Sequence, residues 1–386
     1  MWRNSDRSAA SPDKKHVLLV NKYYDPVVGG VETVVKQYAH ILSSRYRVTV
    51  LVVEKSFQLR TCHETNDGIK IVRCSSFGSL MSMPISLSFF VHFLVLRKRS
   101  VIVHFHEPFP LASLLALIPR GKRKYIVTWH SDIIRQKLLG YIVRYFQQRL
   151  CFLSYVVTTT SPRLARYSRV LRALPSRVKV LPLSIQPADY DRCGRRPDDM
   201  PDIKDYALFV GRLSYYKGID VLLEAHKRLK GEVPLLVVGE GELAPLVRAR
   251  LSENDCRRLW FLNHHLSEDE KLYVLRSCRF LILPSTAMSE AFGIIQLEAM
   301  ACSKPVINTS LQSGVPWVSI DSITGTTVAP NAPEELASAM LKLQRDGFLV
   351  ARYGKAARAR VEAEFTERKT SEDLLQIYEA CECGLI

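Results

Sequence analysis

Two successive stretches of the chain alternate short apolar runs with segments of helical spacing, and this alternation constrains the fold most. In the first stretch we expect a helix over residues 31–45 and strands at 16–24, 47–53, 69–74, 101–107, 124–130, 155–161 and 178–185. In the second stretch we expect strands at 207–213, 234–241, 259–265, 280–285 and 304–310. Such alternation is typical of parallel sheets covered by helices on both faces. The sequence therefore predicts an α/β fold of two Rossmann-like, doubly wound parallel-sheet domains facing a central cleft.

A segment rich in Pro, Asp and Arg separates the two patterns and is the expected linker, about residues 187–205. The length of 386 residues also favours two domains. We predict a first domain over residues 1–190 and a second domain over residues 203–365. Ligands of such folds bind at the carboxyl ends of the strands, which here face the cleft between the domains.

Cysteine spacing and the apolar runs bear on the compartment. The nine cysteines form no C-x-x-C pair, which indicates reduced cytosolic thiols rather than a zinc ribbon. The first 16 residues are polar, so a signal peptide is not expected. The longest apolar run, residues 85–96, is too short to span a bilayer. We expect a soluble or peripheral cytoplasmic protein.

Positive charge is concentrated in the first half of the chain. Residues 1–200 carry 32 Lys and Arg against 13 Asp and Glu, whereas residues 201–386 carry 22 against 25. This asymmetry predicts a polyanionic surface as a partner of the first half. Nucleic acid is disfavoured as that partner, because no nucleic-acid-binding signature is present.

Gly29-Gly30 follows the first expected strand and opens its helix. Paired glycines let the backbone approach a ligand closely, and a helix N-terminus favours phosphate. An ordinary tight turn is the alternative. The pair is not G-x-G-x-x-G, which counts against a standard dinucleotide enzyme.

Arg212 and Lys217 occupy the corresponding place in the second half, within the sequence G-R-L-x3-K-G. An arginine fork and a lysine at the end of a strand are suited to binding a diphosphate. The alternative is a solvated basic loop.

The most informative segment places Glu290 and Glu298 eight residues apart, where a strand leads into a helix. Eight helical residues span about 12 Å, the scale of a sugar-diphosphate-ribose unit. The N–H groups of Phe292, Gly293 and Ile294 lie between the two acids and point toward a phosphate. We expect Glu290 in an exposed turn. Two surface glutamates are the alternative, although Glu298 stands in an apolar context that makes an unpaired carboxylate costly.

Together, the GGVE turn, His130-Ser-Asp132, the G-R-L and K-G pair and E-x7-E resemble the retaining GT-B glycosyltransferases of family 4. The resemblance covers nearly the whole chain. Residues 283–319 more narrowly resemble bacterial mannosyltransferases of O-antigen and exopolysaccharide assembly that use GDP-mannose. The resemblance also implies that a terminal helix, about residues 366–386, crosses back to the first domain.

The resemblance implies a role for each motif residue. Glu290 would hold hydroxyls of the donor sugar, His130 would hydrogen-bond the sugar near the reacting carbon, and Glu298 would hold the ribose hydroxyls. The donor diphosphate would be bound by Gly29, Gly30, Arg212, Lys217, Phe292, Gly293 and Ile294.

The resemblance also implies that no cofactor and no metal is required, because fixed cations and helix N-termini stabilise the leaving diphosphate. Asp189 and Asp191 form an Asp-x-Asp pair, but they lie in the expected linker rather than at a strand end. Retention by double displacement would need a carboxylate nucleophile, and neither Glu290 nor Glu298 clearly fills that role. The resemblance implies front-face substitution instead.

His104 and His106 share one face of an expected strand. A zinc site is disfavoured because no third ligand is evident. By resemblance to an H-x-H-x-P segment, His106 is a candidate for the acceptor side of the cleft, and a structural role for either histidine is the alternative.

Residues 133–153 mix aliphatic, aromatic and cationic side chains, as interfacial helices do. An anionic membrane surface, with a lipid-linked glycan as acceptor, accounts for this pattern and for the basic first half. A buried amphipathic helix is the alternative for these residues.

The leading hypothesis is a retaining hexosyltransferase that moves mannose from a nucleotide diphosphate sugar to a lipid-linked glycan at the inner face of the plasma membrane. A GT-B sugar-nucleotide epimerase and a non-catalytic sugar-nucleotide-binding assembly protein are the alternatives.

Overall fold

Two parallel sheets dominate the structure, a computed structural model that describes residues 14–27, 29–80, 83–133, 139–252 and 258–384. The described strands of the first half are β1 His16–Val20, β2 Arg47–Val53, β3 Cys62–Asn66, β4 Ile69–Cys74, β5 Ser79–Leu80, β6 Met83–Pro84, β7 Ile102–Glu107, β8 Lys124–Trp129, β9 Val156–Thr159 and β10 Val178–Val180. Eight of them form one sheet in the order β10-β9-β8-β7-β1-β2-β4-β3, and β5 pairs with β6. Within the eight-stranded sheet only β3 runs antiparallel to its neighbour.

The second sheet has the strand order β13-β12-β11-β14-β15-β16, and all its described pairings are parallel. Its strands are β11 Ala207–Val210, β12 Leu235–Val238, β13 Leu259–Leu262, β14 Phe280–Ile282, β15 Val306–Thr309 and β16 Gly325–Val328. Numbered from β11, this is the 3-2-1-4-5-6 order of a doubly wound nucleotide-binding sheet. The predicted fold class of two parallel-sheet α/β domains is confirmed.

Helices cover both faces of each sheet. Those of the first half are α1 Gly30–Ser43, α2 Ser88–Arg99, α3 Pro110–Ser113, α4 Leu139–Leu153 and α5 Pro162–Tyr167. Those of the second half are α6 Ile219–Arg228, α7 Ala244–Leu251, α8 Glu268–Ser277, α9 Ile294–Ala301, α10 Val315–Val318, α11 Pro333–Arg345, α12 Gly347–Glu364 and α13 Glu367–Cys383. No helix within the described ranges is both long and apolar enough to cross a membrane.

Strand β1 shows why the chain adopts this layered arrangement. Its residues are buried on both sides, and alternate side chains enter two different cores. Val17 and Leu19 join the core that includes α1, while Leu18 and Val20 join the core that includes α2. A continuous run of β-branched and aliphatic residues is stable only in a sheet that is covered on both faces.

The expected strands at 47–53 and 69–74 are observed with those bounds. Most other expected strands end several residues early, as β1 does at Val20, because the chain opens into loops at the carboxyl edge of the sheet. Strand β3 was not predicted, since all its residues are exposed and give no apolar signal.

The last helix, α13, returns to the first sheet. Thr366 caps it, and the N–H of Ile185 donates to the carbonyl of Phe365 at 3.0 Å where the chain crosses back. The Tyr378 hydroxyl lies 2.8 Å from Nδ1 of His104 on β7, and the other ring nitrogen of His104 lies 2.7 Å from the Thr128 hydroxyl. These buried polar contacts fix α13 against the sheet.

Replacement of Tyr378 by Phe should lower the free energy of unfolding by about 1–3 kcal/mol, because His104 Nδ1 is then buried without a partner. Urea titration of both proteins measures the difference. Tyr145→Phe is the matched control, since Tyr145 is 58% exposed and its loss of a hydroxyl should be nearly neutral. Equal effects of the two substitutions would contradict this account of the crossing.

Candidate active site

The chain leaves adjacent strands β11 and β14 in opposite directions, which makes the carboxyl edge between them a crevice suited to ligands. The loop after β11 contains Arg212 and Lys217, and the loop after β14 contains Glu290. The two loops pack closely at Gly218, where a side chain would not fit because a Cβ would lie 2.0 Å from the carbonyl oxygen of Pro284. Its φ of +68° also favours glycine.

Lys217 and Glu290 form an ion pair at this edge. Lys217 Nζ lies 2.5 Å from Oε2 of Glu290, and both side chains are largely buried. The Ser285 hydroxyl donates to the same oxygen at 3.2 Å. Burial lowers the pKa of Lys217, but the Glu290 carboxylate and Tyr216 together more than offset this effect, so the pKa lies above its ordinary value and the lysine is charged.

The expected exposed turn at Glu290 is wrong, since the residue is only 7% exposed. The physical reason is its partner. A carboxylate that meets a lysine and a hydroxyl is compensated when it leaves water, whereas sequence spacing alone did not reveal this pairing.

The start of α9 lies next to the ion pair in the chain. Gly293 caps the helix with φ +74°, and a Cβ there would lie 2.6 Å from a methyl carbon of Leu283. The first N–H groups of a helix lack intrahelical partners, so this end favours an anion. The Phe292 ring packs against Trp317 and Phe365, which leaves its backbone as the part suited to a ligand.

Glu298 lies further along α9 and contacts other groups. Its Oε1 is 3.0 Å from Nζ of Lys271 on α8, and Lys271 also pairs with Glu268 at 2.8 Å. Burial raises the pKa of Glu298, and Lys271 opposes the rise only in part. Tyr190, in the expected linker, also hydrogen-bonds this carboxylate. The two glutamates therefore have separate partners.

The first domain presents the N-terminus of α1 at its own carboxyl edge. Gly29 caps this helix, and a Cβ there would lie 2.2 Å from Oε2 of Glu32. Burial raises the pKa of Glu32, and the positive charges of Lys22 and Arg212 oppose that rise. Arg212 belongs to the second domain, so its charge acts across the cleft on the residue that follows the Gly29-Gly30 turn.

Three histidine rings stack at the edge between β7 and β8. The His104 and His106 ring centroids are 4.6 Å apart, and those of His106 and His130 are 5.3 Å apart. Nδ1 of His106 lies 3.0 Å from Nε2 of His130. Burial lowers the pKa of His130 to about 3, and burial with the neighbouring rings lowers that of His106. Both rings are neutral, so one donates and the other accepts, and their tautomers are coupled.

His106 is only 1% exposed and does not line the cleft, and it contacts His130, which is itself 5% exposed. Among the described residues its Nε2 has no hydrogen-bond partner. His104 is held by Tyr378 and Thr128 in the interior. The described ranges contain no group of three or more His, Cys, Asp or Glu placed to hold a metal ion.

Apart from Lys217, the residues that contact the two glutamates were not identified from the sequence. Lys271 and Ser285 carry no motif, because their pairing with glutamates is fixed only by the fold. Glu107 was also missed. It ends β7 on the face opposite His104 and His106, where it is buried and accepts from Ser113 and Gln147, and burial raises its pKa to about 7. Its position directly after His106 was the available signal.

Comparison with known families divides the chain at the same place as the two sheets. Residues 28–189 match the family described as Glycosyltransferase Family 4, and residues 195–360 match Glycosyl transferases group 1. Together the two matches cover most of the chain and all the candidate site residues.

Among similar proteins, O-antigen chain mannosyltransferase C of Escherichia coli is 27% identical, over 92% of this chain and 95% of its own length. The D-rhamnosyltransferase WbpZ of Pseudomonas aeruginosa is 28% identical, over 89% of this chain and 90% of its own length.

Solved structures show the fold. Sucrose-phosphate synthase from Thermosynechococcus elongatus has a TM-score of 0.78 at 20% identity, with 96% of this chain and all of that chain covered. Anabaena HepE in complex with UDP and glucose has a TM-score of 0.71 at 17% identity, with coverage of 95% and 100%. The chain therefore belongs to the GT-B glycosyltransferases, with a family 4 domain followed by a group 1 domain.

Proposed function

We propose that this glycosyltransferase moves mannose from GDP-mannose, with retention of anomeric configuration, to a lipid-linked acceptor in O-antigen or exopolysaccharide biosynthesis. The observation that carries the proposal is the buried Lys217–Glu290 pair beside the N-terminus of α9. The choice of mannose is supported by the similarity to an O-antigen chain mannosyltransferase, and the choice of donor by the residues of 283–319.

When the donor binds, the two members of the ion pair bind different parts of it, the diphosphate and the sugar. The ammonium of Lys217 binds the diphosphate with Arg212 and the N–H groups of Gly293 and Ile294. The Glu290 carboxylate then accepts from hydroxyls of the sugar. Fixed cations and helix N–H groups stabilise the negative charge that develops on the leaving diphosphate, so no metal is required by this arrangement.

His130 contributes a neutral ring at the opposite wall of the cleft. Its pKa is lowered by burial, so near neutral pH it donates or accepts a hydrogen bond without carrying charge. His106 orients this ring through their 3.0 Å contact, and the tautomers of the two rings change together. A hydroxyl near the reacting carbon of the sugar is the proposed partner of His130.

The bond changes follow front-face substitution. The bond between the anomeric carbon and the diphosphate oxygen breaks, and the acceptor oxygen bonds to the same face of that carbon. The proton of the acceptor hydroxyl passes to the departing phosphate oxygen. Glu290 is not assigned as a nucleophile, because its charge is compensated by Lys217 and Ser285.

Helix α4 supports the proposal of a membrane-bound acceptor and a peripheral location on the inner face of the plasma membrane. Residues 134–138 of the expected interfacial segment lie outside the described residues. The helix itself exposes Tyr141, Ile142, Tyr145 and Phe152. Arg144 lies over the ring of Tyr141. Exposed aromatic and cationic side chains on one helix suit an interface with anionic lipid.

GDP-mannose and GDP should raise the melting temperature of the protein, because each binds the folded state only. UDP-glucose at the same concentration should raise it much less. Radiolabel from GDP-mannose should then appear in the lipid fraction of a membrane extract that supplies acceptor. Stabilisation by UDP-glucose alone would contradict the donor assignment, and an epimeric sugar nucleotide formed from donor alone would contradict the transferase.

Glu290→Gln should reduce kcat by a factor on the order of 100 or more, since the carboxylate is needed to hold the sugar in the reacting geometry. Gln is preferred to Ala because it keeps the shape near Lys217, and a melting curve separates lost activity from lost stability. Glu334→Gln, on the exposed start of α11, is the matched control and should retain full activity. Equal activity of the two variants would remove Glu290 from the site.

A further inference from the structure

A cavity of about 460 Å³ opens at the amino ends of β1, β7 and β8, and the proposed reaction does not use it. Five cationic residues line it together with a single carboxylate: Lys15, Lys98, Lys122, Arg123, Lys124 and Glu382. These residues come from four separate parts of the chain. The fold, rather than a sequence motif, gathers them into one concave surface.

The carboxylate leaves most of this positive charge uncompensated. Glu382 pairs with Lys15 at 2.7 Å. Lys124 donates to the backbone carbonyl of Glu382 at 2.7 Å, and Arg123 donates to the carbonyl of Arg97 at 2.6 Å. Backbone carbonyls orient these cations without neutralising them. Within the described ranges, Lys98 and Lys122 are exposed and have no ion pair.

A neighbouring imidazole responds to the positive field. His16 begins β1, and its Nδ1 lies 2.9 Å from the hydroxyl of Ser100 in the cavity wall. Burial, and then the charges of Arg47, Lys70 and Arg99, lower its pKa to about 4. The amino edge of the sheet is therefore positive beyond the cavity itself.

This cavity is separate from the proposed donor site. The strands of the sheet are parallel, and the Gly29-Gly30 turn and His130 follow their carboxyl ends. A strand of five or six residues is about 17–20 Å long. A ligand in the cavity thus lies at the opposite edge of the first domain from the reacting sugar.

The surroundings of the cavity indicate what kind of anion binds. Val95 lies one turn before Lys98 on α2 and is 52% exposed, and Val101 of the cavity wall is also exposed. Exposed apolar side chains beside a cationic cavity match a ligand with a phosphate and acyl chains. A small phosphate ester would use the cations only.

We propose that this cavity binds the phosphate of an anionic phospholipid headgroup, while the exposed apolar residues beside it contact the acyl chains. The inference deepens the proposed function, since it rests on a peripheral enzyme that works at a membrane. It assigns a headgroup site that holds the amino edge of the first domain at the bilayer, in addition to the exposed face of α4.

The test is sedimentation of the full chain with vesicles of phosphatidylglycerol and phosphatidylcholine. The full chain is needed because α13 supplies Glu382 and completes the first domain. The Lys98→Gln/Lys122→Gln variant should bind these vesicles roughly 30-fold more weakly, at about fivefold for each lysine near an anionic surface. Both lysines are exposed, so the variant should fold.

The matched control is Arg60→Gln/Lys179→Gln, which also removes two positive charges, but from exposed positions of the same domain that do not line the cavity. It should bind nearly as tightly as the unmodified chain. Glu382→Gln should bind more tightly, because Lys15 is then released from its carboxylate. Equal loss in the cavity variant and the control would overturn the site in favour of general attraction.

A second arm distinguishes lipid from free phosphate. Inorganic phosphate should stabilise the chain only weakly and should not displace it from vesicles at millimolar concentration. Displacement by phosphate together with unchanged vesicle binding of the cavity variant would overturn the headgroup assignment. Sedimentation needs neither donor nor acceptor, so failure of the transfer assays would not alter this result, and failure here would not alter theirs.

Discussion

The ion pair between Lys217 and Glu290 is the contact on which the arrangement of the cleft depends. It joins the loop after β11 to the loop after β14, at the point where the chain leaves these two adjacent strands in opposite directions. Loss of one member of a buried pair costs about 3–5 kcal/mol, because the other charge stays buried without a partner. The pair therefore fixes both loops before a ligand arrives. In the proposed donor complex, each of the two charges binds a different part of the donor.

The other wall of the cleft lies at the corresponding place in the first sheet, where the chain leaves two adjacent strands in opposite directions. The chain reverses between β1 and β7, and the turn at Gly29-Gly30 and the stacked histidines both lie at that edge. In the proposed donor complex, uncharged rings face the sugar and cations face the diphosphate. This division suits a reaction in which negative charge develops on the leaving group and little develops on the acceptor side.

Much of the fold could be predicted because buried parallel strands have continuous runs of Val, Ile and Leu, as in residues 47–53 and 69–74. Strand β3 could not, since its exposed polar residues pair with β4 only through the backbone. Arg212, Lys217 and Glu290 could be proposed as candidate site residues from motifs at strand ends. The burial of Glu290 and its pairing could not, because they depend on how two distant loops pack at Gly218. The cationic cavity could not be predicted either, since its residues are dispersed along the chain.

Calorimetric titration of GDP and GDP-mannose into Lys217→Met and Glu290→Gln proteins tests the ion pair most directly. Loss of Lys217 should weaken both ligands, since both carry the diphosphate. Loss of Glu290 should weaken GDP-mannose but leave GDP as tight or tighter, because Lys217 is then freed for phosphate. If both variants bind both ligands like the unmodified protein, the pair does not hold the donor and the account of this cleft is wrong.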